Sequence, residues 1–255
     1  MTPKGWTREQ LLLAMNLYCR IPFGQFHQKN DQVIKLANAI GRTPSGVAMK
    51  LGNLASLDPY HIERGIKGLS GASEADREMW REFHANWEQM TFESERLWEA
   101  YGLSTHDEPT EAESLSEFSG PTEAQRVVKV RIAQRFFRRT VMATYQSRCC
   151  VSGVAIPELL VASHILPWSQ FPEHRADPRN GLCLSRIHDA AFDAGLITFA
   201  EDHRLVLSRE LSEATSNDVL RECFRRYEGK PMALPERFRP ESRYLLSHRT
   251  TIFRS

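Results

Sequence analysis

The sequence has almost no net charge: 33 Lys and Arg stand against 32 Asp and Glu, leaving +1 at pH 7. A uniformly basic nucleic-acid binder is therefore excluded, and any such surface must come from local clustering. There is no apolar run of the ~20 residues that a membrane-spanning helix needs. Met1 to Trp6 lacks the pattern of a signal peptide. The expectation is a cytoplasmic protein with no membrane partner. Cysteine is scarce: Cys19, Cys149, Cys150, Cys183 and Cys223, with no C-x-x-C pair among them. An odd number without a paired framework fits free thiols in a reducing compartment. Cys149 and Cys183 are expected to face the core as apolar residues.

What is present is ordinary for a soluble chain. Hydrophobic residues make up 41% and charged residues 25% of 255 positions, enough for two compact domains or one large one.

Thr7 and Gln10 stand in capping-box spacing before the apolar run Leu11 to Tyr18, which predicts a buried helix to Arg20. Asp31 opens a second helix that Gly41 ends. Thr43 and Pro44 form an N-cap and N1 pair for a third, running to about Leu54. Helix, tight turn, helix resembles a helix-turn-helix module, whose second helix can enter the major groove. On that reading Arg42, Thr43, Ser45 and Lys50 lie near DNA and Asn53 reads a base edge. The alternative is three helices that pack together with Lys50 solvated. Ser73 to Met90 is expected as one further helix, with Trp80, Phe83 and Trp87 as its core stripe, and Phe92 to Tyr101 as another.

Gly102 to Glu123 is rich in Ser, Thr, Glu and Pro and poor in apolar residues, a linker composition. The expected division is a helical domain over 1–103, an acidic linker over 104–123 and a second domain over 124–255. Ala124 to Tyr145 predicts a long helix with Val127, Val130, Phe137 and Val141 on one face and Arg131, Arg135, Arg138 and Arg139 on the adjoining ones. These arginines are candidates for phosphate contact; a solvated face is the alternative. Past Leu207, a helix is expected from about Ser216 to Tyr227. A basic tail follows with Arg237, Arg239, Arg243, His248 and Arg249, and its prolines suggest an extended path.

The stretch from Cys149 to Phe199 carries the chemistry. Leu159 to Ile165 is an apolar run of strand length stopped by Pro167, and Leu182 to Leu184 is a second short run. Ser185 is a candidate N-cap for a short helix that Gly195 ends. Leu196 to Phe199 and Leu205 to Leu207 suggest another hairpin. His164, Asn180 and His188 fall on strand, loop and helix in turn, while His174 and His203 are loop residues.

This order, with the words C-x-V-S-G, A-S-H-I-x-P-W, R-N-G-L-x-L and H-D-x-x-F-D-x-G-L-I-T-F, resembles the HNH endonucleases of bacterial restriction and defence proteins. The resemblance covers roughly 126 to 210 and implies an α+β protein: an α-helical N-terminal domain joined to a ββα-metal (HNH) nuclease domain. It implies hydrolysis of DNA to a 5′-phosphate and a 3′-hydroxyl. His164 matches the general base, a role suited to imidazole. Asn180 matches the residue that holds the loop so that the base is aimed. His188 matches a helix-borne ligand of one divalent metal, magnesium first, with manganese, nickel or zinc as alternatives. The three side chains are expected to converge on one phosphate. Ser163 departs from the family, which often places an Asp or His ligand there; water, a backbone carbonyl, Asp189 or Asp193 would replace it, with Asp193 read as closing the helix. The four-cysteine zinc site of some relatives cannot be built here in its usual spacing. DNA is the implied partner, and a homodimer is expected if both strands are cut. The competing reading is a non-catalytic DNA-binding or regulatory protein on an HNH scaffold; an RNA or structure-specific nuclease is a third.

Overall fold

The computed structural model describes residues 5–63, 71–103 and 121–255, the side chains of 121–126 excepted. The acidic stretch that was expected to form the linker lies almost wholly outside the described residues. Two compact units are present, Met1–Thr140 and Val141–Ser255. The division falls inside the long helix α7 (Pro121–Thr144), so most of that helix groups with the helical unit rather than leading the second domain.

The first unit is helical: α1 (Arg8–Arg20), α2 (Asp31–Ala39), α3 (Pro44–Ala55), α4 (Pro59–Glu63), α5 (Glu74–Ala85) and α6 (Trp87–Ala100), with the greater part of α7. Its starts follow the expected caps. Thr7 and Gln10 form a complete capping box, and the Thr43 side chain accepts from the Gly46 N–H. The helix expected over Ser73 to Met90 is broken at Asn86, whose non-helical backbone ends α5 and whose side chain accepts from the Gln89 N–H to start α6. Asparagine stabilises a helix start better than a helix interior. Leu12, Leu13, Leu17, Val33, Leu36, Val47, Leu51 and Phe83 close the core.

The second unit holds β1 (Leu160–His164), β2 (Gly181–Ser185), α8 (Arg186–Asp193), β3 (Ile197–Phe199), β4 (Leu205–Leu207), α9 (Arg209–Ala214), α10 (Asp218–Cys223) and α11 (Ser242–Thr251). The pairs β1–β2 and β3–β4 are separate antiparallel hairpins. In the first, Leu160 faces Ser185 and His164 faces Gly181. Helix α8 packs on both strands of this hairpin, which gives the ββα unit. Gly195 ends α8 with φ +70°, and a Cβ there would lie 2.2 Å from the Ile252 carbonyl oxygen, so the close approach needs glycine.

The C-terminal region departs from expectation. The helix predicted over 216–227 is α10 and a short 3-10 turn, and the tail ends in α11 rather than an extended path. Arg237 and His248 are buried, so they belong to the core and not to a basic surface. Among the described residues no helix is long and apolar enough to cross a membrane.

Candidate active site

His164 ends β1, and its Nε2 lies 3.0 Å from the carbonyl oxygen of Arg175. A carbonyl only accepts, so Nε2 carries the proton and Nδ1 is the basic nitrogen of the neutral ring. Burial pushes this imidazole down to about 4, the Arg175 charge adding to the effect and the carbonyl bond opposing it. The ring is therefore neutral at pH 7, the state a proton acceptor requires. Trp168 meets it edge-on at 5.1 Å, and the Arg175 guanidinium lies over the Trp168 ring at 4.9 Å.

Asn180 is buried and spends its carboxamide on both ends of the loop between the strands. Its Oδ1 accepts from the Leu166 N–H at 2.8 Å, and its Nδ2 donates to the His174 carbonyl at 3.2 Å. Its own carbonyl accepts from the Ile165 N–H at 2.9 Å. Asn180 thus grips the two residues after His164 and the residue before the carbonyl that fixes His164. These bonds tie the loop between the strands to the end of β1.

His188 is placed differently. It is buried, its Nδ1 is 2.6 Å from Ser185 Oγ, and its Nε2 is 2.8 Å from the Cys223 carbonyl. Phe224 and Tyr227 approach its ring edge-on. Both nitrogens already have protein partners, so ligation of a metal would require one bond to break. Ser185 faces Leu160, four residues along β1 from His164, which is about 13 Å of strand at ~3.3 Å per residue. The structure brings His164 and Asn180 together; it holds His188 at Ser185, toward the other end of the hairpin. The Nδ1 bond ties the His188 imidazole to the residue that starts its own helix.

That bond was not foreseen. Ser185 precedes α8 as expected, but its side chain makes no cap hydrogen bond and engages His188 instead. Cys149, buried as expected, has Sγ 3.7 Å from His188 Nδ1. Burial alone would raise this thiol, but bonds from His188 and Ser152 outweigh it and bring it down to about 6.

The metal that the resemblance implies was tested against the donors present. Ser163 is buried, and its Oγ has no hydrogen-bond partner among the described residues. Asp189 and Asp193 stand four apart on α8. Although Asp193 is exposed as a residue, desolvation of its carboxyl and then the Asp189 charge push it up to about 6. Carboxylates are the right donors for magnesium. Among the described residues, however, no group of three or more His, Cys, Asp or Glu side chains is placed to hold an ion. The described donors do not assemble a complete ligand set.

The DNA contacts expected on the helical unit are mostly turned inward. Lys50 Nζ pairs with Asp76 Oδ1 at 2.7 Å, both buried, and Asn53 Nδ2 donates to the Gly71 carbonyl at 3.2 Å. Both side chains are engaged within the helical unit; Asp76, held in a capping box with Ser73, draws Lys50 in. Arg42 is tied to Gln10 Oε1 at 2.8 Å and to the Gly5 carbonyl. Thr43 and Ser45 are the exposed members of this set. On α7, Arg131 and Arg135 are exposed, whereas Arg138 is half-buried. Arg139 pairs with Glu95 Oε1 at 2.6 Å. Burial would raise the Glu95 carboxyl, but Arg139 and Arg20 outweigh it and hold it low. Arg139 is thereby committed to the helical core.

No curated protein matches the chain. Residues 149–200, well under half of the sequence but containing β1, Asn180, β2, α8 and β3, match the family described as HNH endonuclease.

Proposed function

We propose that the chain is a metal-dependent DNA endonuclease in which His164 is the general base. The observation that carries this reading is the His164 tautomer. A carbonyl at 3.0 Å holds the proton on Nε2 and leaves Nδ1 as the nitrogen that takes a proton from water. Asn180 acts on this base through the loop and not on the phosphate. In the family a divalent cation stabilises the charge that develops on the phosphate and the leaving oxygen; magnesium is the first candidate, then manganese, nickel or zinc. His188 serves as a ligand only if it gives up Ser185 or Cys223, and no step is derived through it. Arg131 and Arg135, exposed one helical turn apart on α7, are the best-placed of the proposed phosphate contacts.

The experiment is a supercoiled-plasmid nicking assay with each of the four cations, comparing the parent with His164→Ala. Nicking by the parent and its loss in the variant is the expected result. No cutting with any cation overturns the reading. Such an outcome favours the second reading, a non-catalytic DNA-binding scaffold, which the commitment of both His188 nitrogens supports. A restriction or defence role, acting on modified DNA, extends the first reading. Equal digestion of modified and unmodified phage DNA would remove modification dependence. A homodimer is expected if both strands are cut, and sedentation of the DNA-bound protein by ultracentrifugation measures it.

A further inference from the structure

Helix α11 lies outside the matched segment, yet it grips the loop around His164 at two points. The Glu241 N–H, at the start of the helix, donates to the Arg179 carbonyl at 3.1 Å. Glu241 Oε1 accepts from Arg179 Nη1 at 2.8 Å. The other edge of that guanidinium is held by buried Asp177, with Nη2 to Oδ2 at 2.7 Å and Nε to Oδ1 at 2.9 Å. Burial opposes the Arg179 charge, but the two carboxylates outweigh it and raise its pKa. One turn on, Tyr244 Oη accepts from Arg243 Nη2 at 3.3 Å and is hydrogen-bonded to His174 Nδ1 at 3.2 Å, with the two rings 5.0 Å apart.

The gripped residues bracket the groups that set the candidate base. His174 supplies the carbonyl that Asn180 Nδ2 binds, and the next residue, Arg175, supplies the carbonyl on His164 Nε2. Arg179 directly precedes Asn180. The far end of α11 is itself anchored. His248 Nδ1 is 3.0 Å from Thr198 Oγ1, its Nε2 is 3.1 Å from the Phe192 carbonyl, and its ring stacks on Phe192 at 3.7 Å. A helix fixed at one end and bonded to the loop at the other is built as a brace.

We infer that α11 is a positioning element of the His164 site, and that Glu241 and Tyr244 hold the 174–180 turn so that the Arg175 carbonyl meets His164 Nε2. The inference rests on the reading of His164 as the base, but its main readout does not need catalysis. The protonated and unprotonated nitrogens of a neutral imidazole have well-separated 15N shifts, so the tautomer can be measured directly.

The test uses the full chain labelled with 15N at histidine, with the His164 signals assigned by their loss in His164→Gln. The parent should show a single neutral tautomer protonated at Nε2. In Glu241→Gln and in Tyr244→Phe the His164 shifts should move toward the average of the two tautomers. Nicking should slow by about 10- to 100-fold in kcat, as when an outer partner of a site group is lost, with KM for plasmid little changed. Leu246→Ala, at an exposed position on α11, should leave both readouts at parent values. Arg179→Lys keeps a cation but cannot bridge Asp177 and Glu241 together, and it gives the same readout should Tyr244→Phe fail to fold. Parent-like His164 shifts in folded Glu241→Gln and Arg179→Lys chains would overturn the brace. A parent that nicks no DNA would sink the nuclease reading and leave the shift measurement to decide this one.

Discussion

The two units differ in which polar groups dominate their interiors. The helical unit buries full charges in pairs: Lys50 with Asp76, and Glu95 with both Arg20 and Arg139. The second unit has its own pair in Asp177 and Arg179, but it also holds three imidazoles with Nε2 against a backbone carbonyl: half-buried His164 on Arg175, and buried His188 on Cys223 and His248 on Phe192. An ion pair in the interior must offset the desolvation of two charges and tolerates the loss of neither partner. A neutral imidazole bonded to a carbonyl costs far less to bury, and it keeps a basic nitrogen at a fixed place. The first arrangement suits a rigid scaffold; the second suits a site that handles protons.

The largest effect should come from splitting a pair in the helical unit. Asp76→Ala leaves the Lys50 ammonium buried alone and removes the carboxylate on the Ser73 N–H. A loss of about 3–5 kcal/mol is expected in urea denaturation. Replacing both residues, as in Lys50→Met with Asp76→Leu, should recover much of that loss. A double variant no more stable than Asp76→Ala would show that the pair is not what costs the single variant its stability.

Acid should separate the units next. Burial holds His164 and His248 at about 4, below the ordinary 6.5. The unfolded chain therefore binds more protons between those values, so stability is complete above 6.5 and falls as pH drops toward 4. Each imidazole contributes at most about 3 kcal/mol to that fall. Glu95 is depressed below the ordinary carboxylate value, so what it contributes is present above about 4.5 and is lost only as pH falls further. Asp193, raised to about 6, acts in the opposite direction, but it is exposed and its effect is screened. Amide exchange at pH 7 and pH 5 is the measurement: protection in β1 and β2 should fall while α1 keeps its own. Equal loss in both would erase the contrast.

Between these extremes stands Asn180. Asn180→Ala leaves the Leu166 N–H and the His174 carbonyl without their side-chain partner. A cost of about 2 kcal/mol follows from unpaired buried groups. If Asn180 only holds the loop, nicking should fall with plasmid affinity preserved. A large rise in KM instead would place Asn180 on the DNA.

How much of this was legible in sequence depended on range. Thr7 with Gln10, Thr43 with Pro44, and Gly195 marked helix ends correctly because capping is settled within a few residues. The apolar runs marked β1 and β2 and suggested their hairpin, but the register that sets His164 opposite Gly181 was not legible in them. Long-range partners left no such mark. Lys50 looked like any basic residue on an outer helix face; only the fold places Asp76 26 residues later against it. His174 carries none of the family's flanking words, and its partner, Tyr244, is 70 positions away. His188 sits where its pattern said, but Cys223, whose carbonyl holds the ring, lies beyond the recognisable words.

The smallest effect tests that last point. Ser185 could be a helix cap or a partner of His188, and the geometry gives its Oγ to the imidazole. Ser185→Ala should then cost only about 1 kcal/mol, one hydrogen bond, and Ser185→Gly should cost no less. Were Ser185 capping α8 instead, glycine would be tolerated better than alanine, since it is a fair N-cap and alanine is a poor one. Equilibrium denaturation of the two variants reads the difference. A glycine variant clearly more stable than the alanine one would return Ser185 to the cap and release His188 Nδ1 from its committed role, which would reopen that nitrogen to a metal.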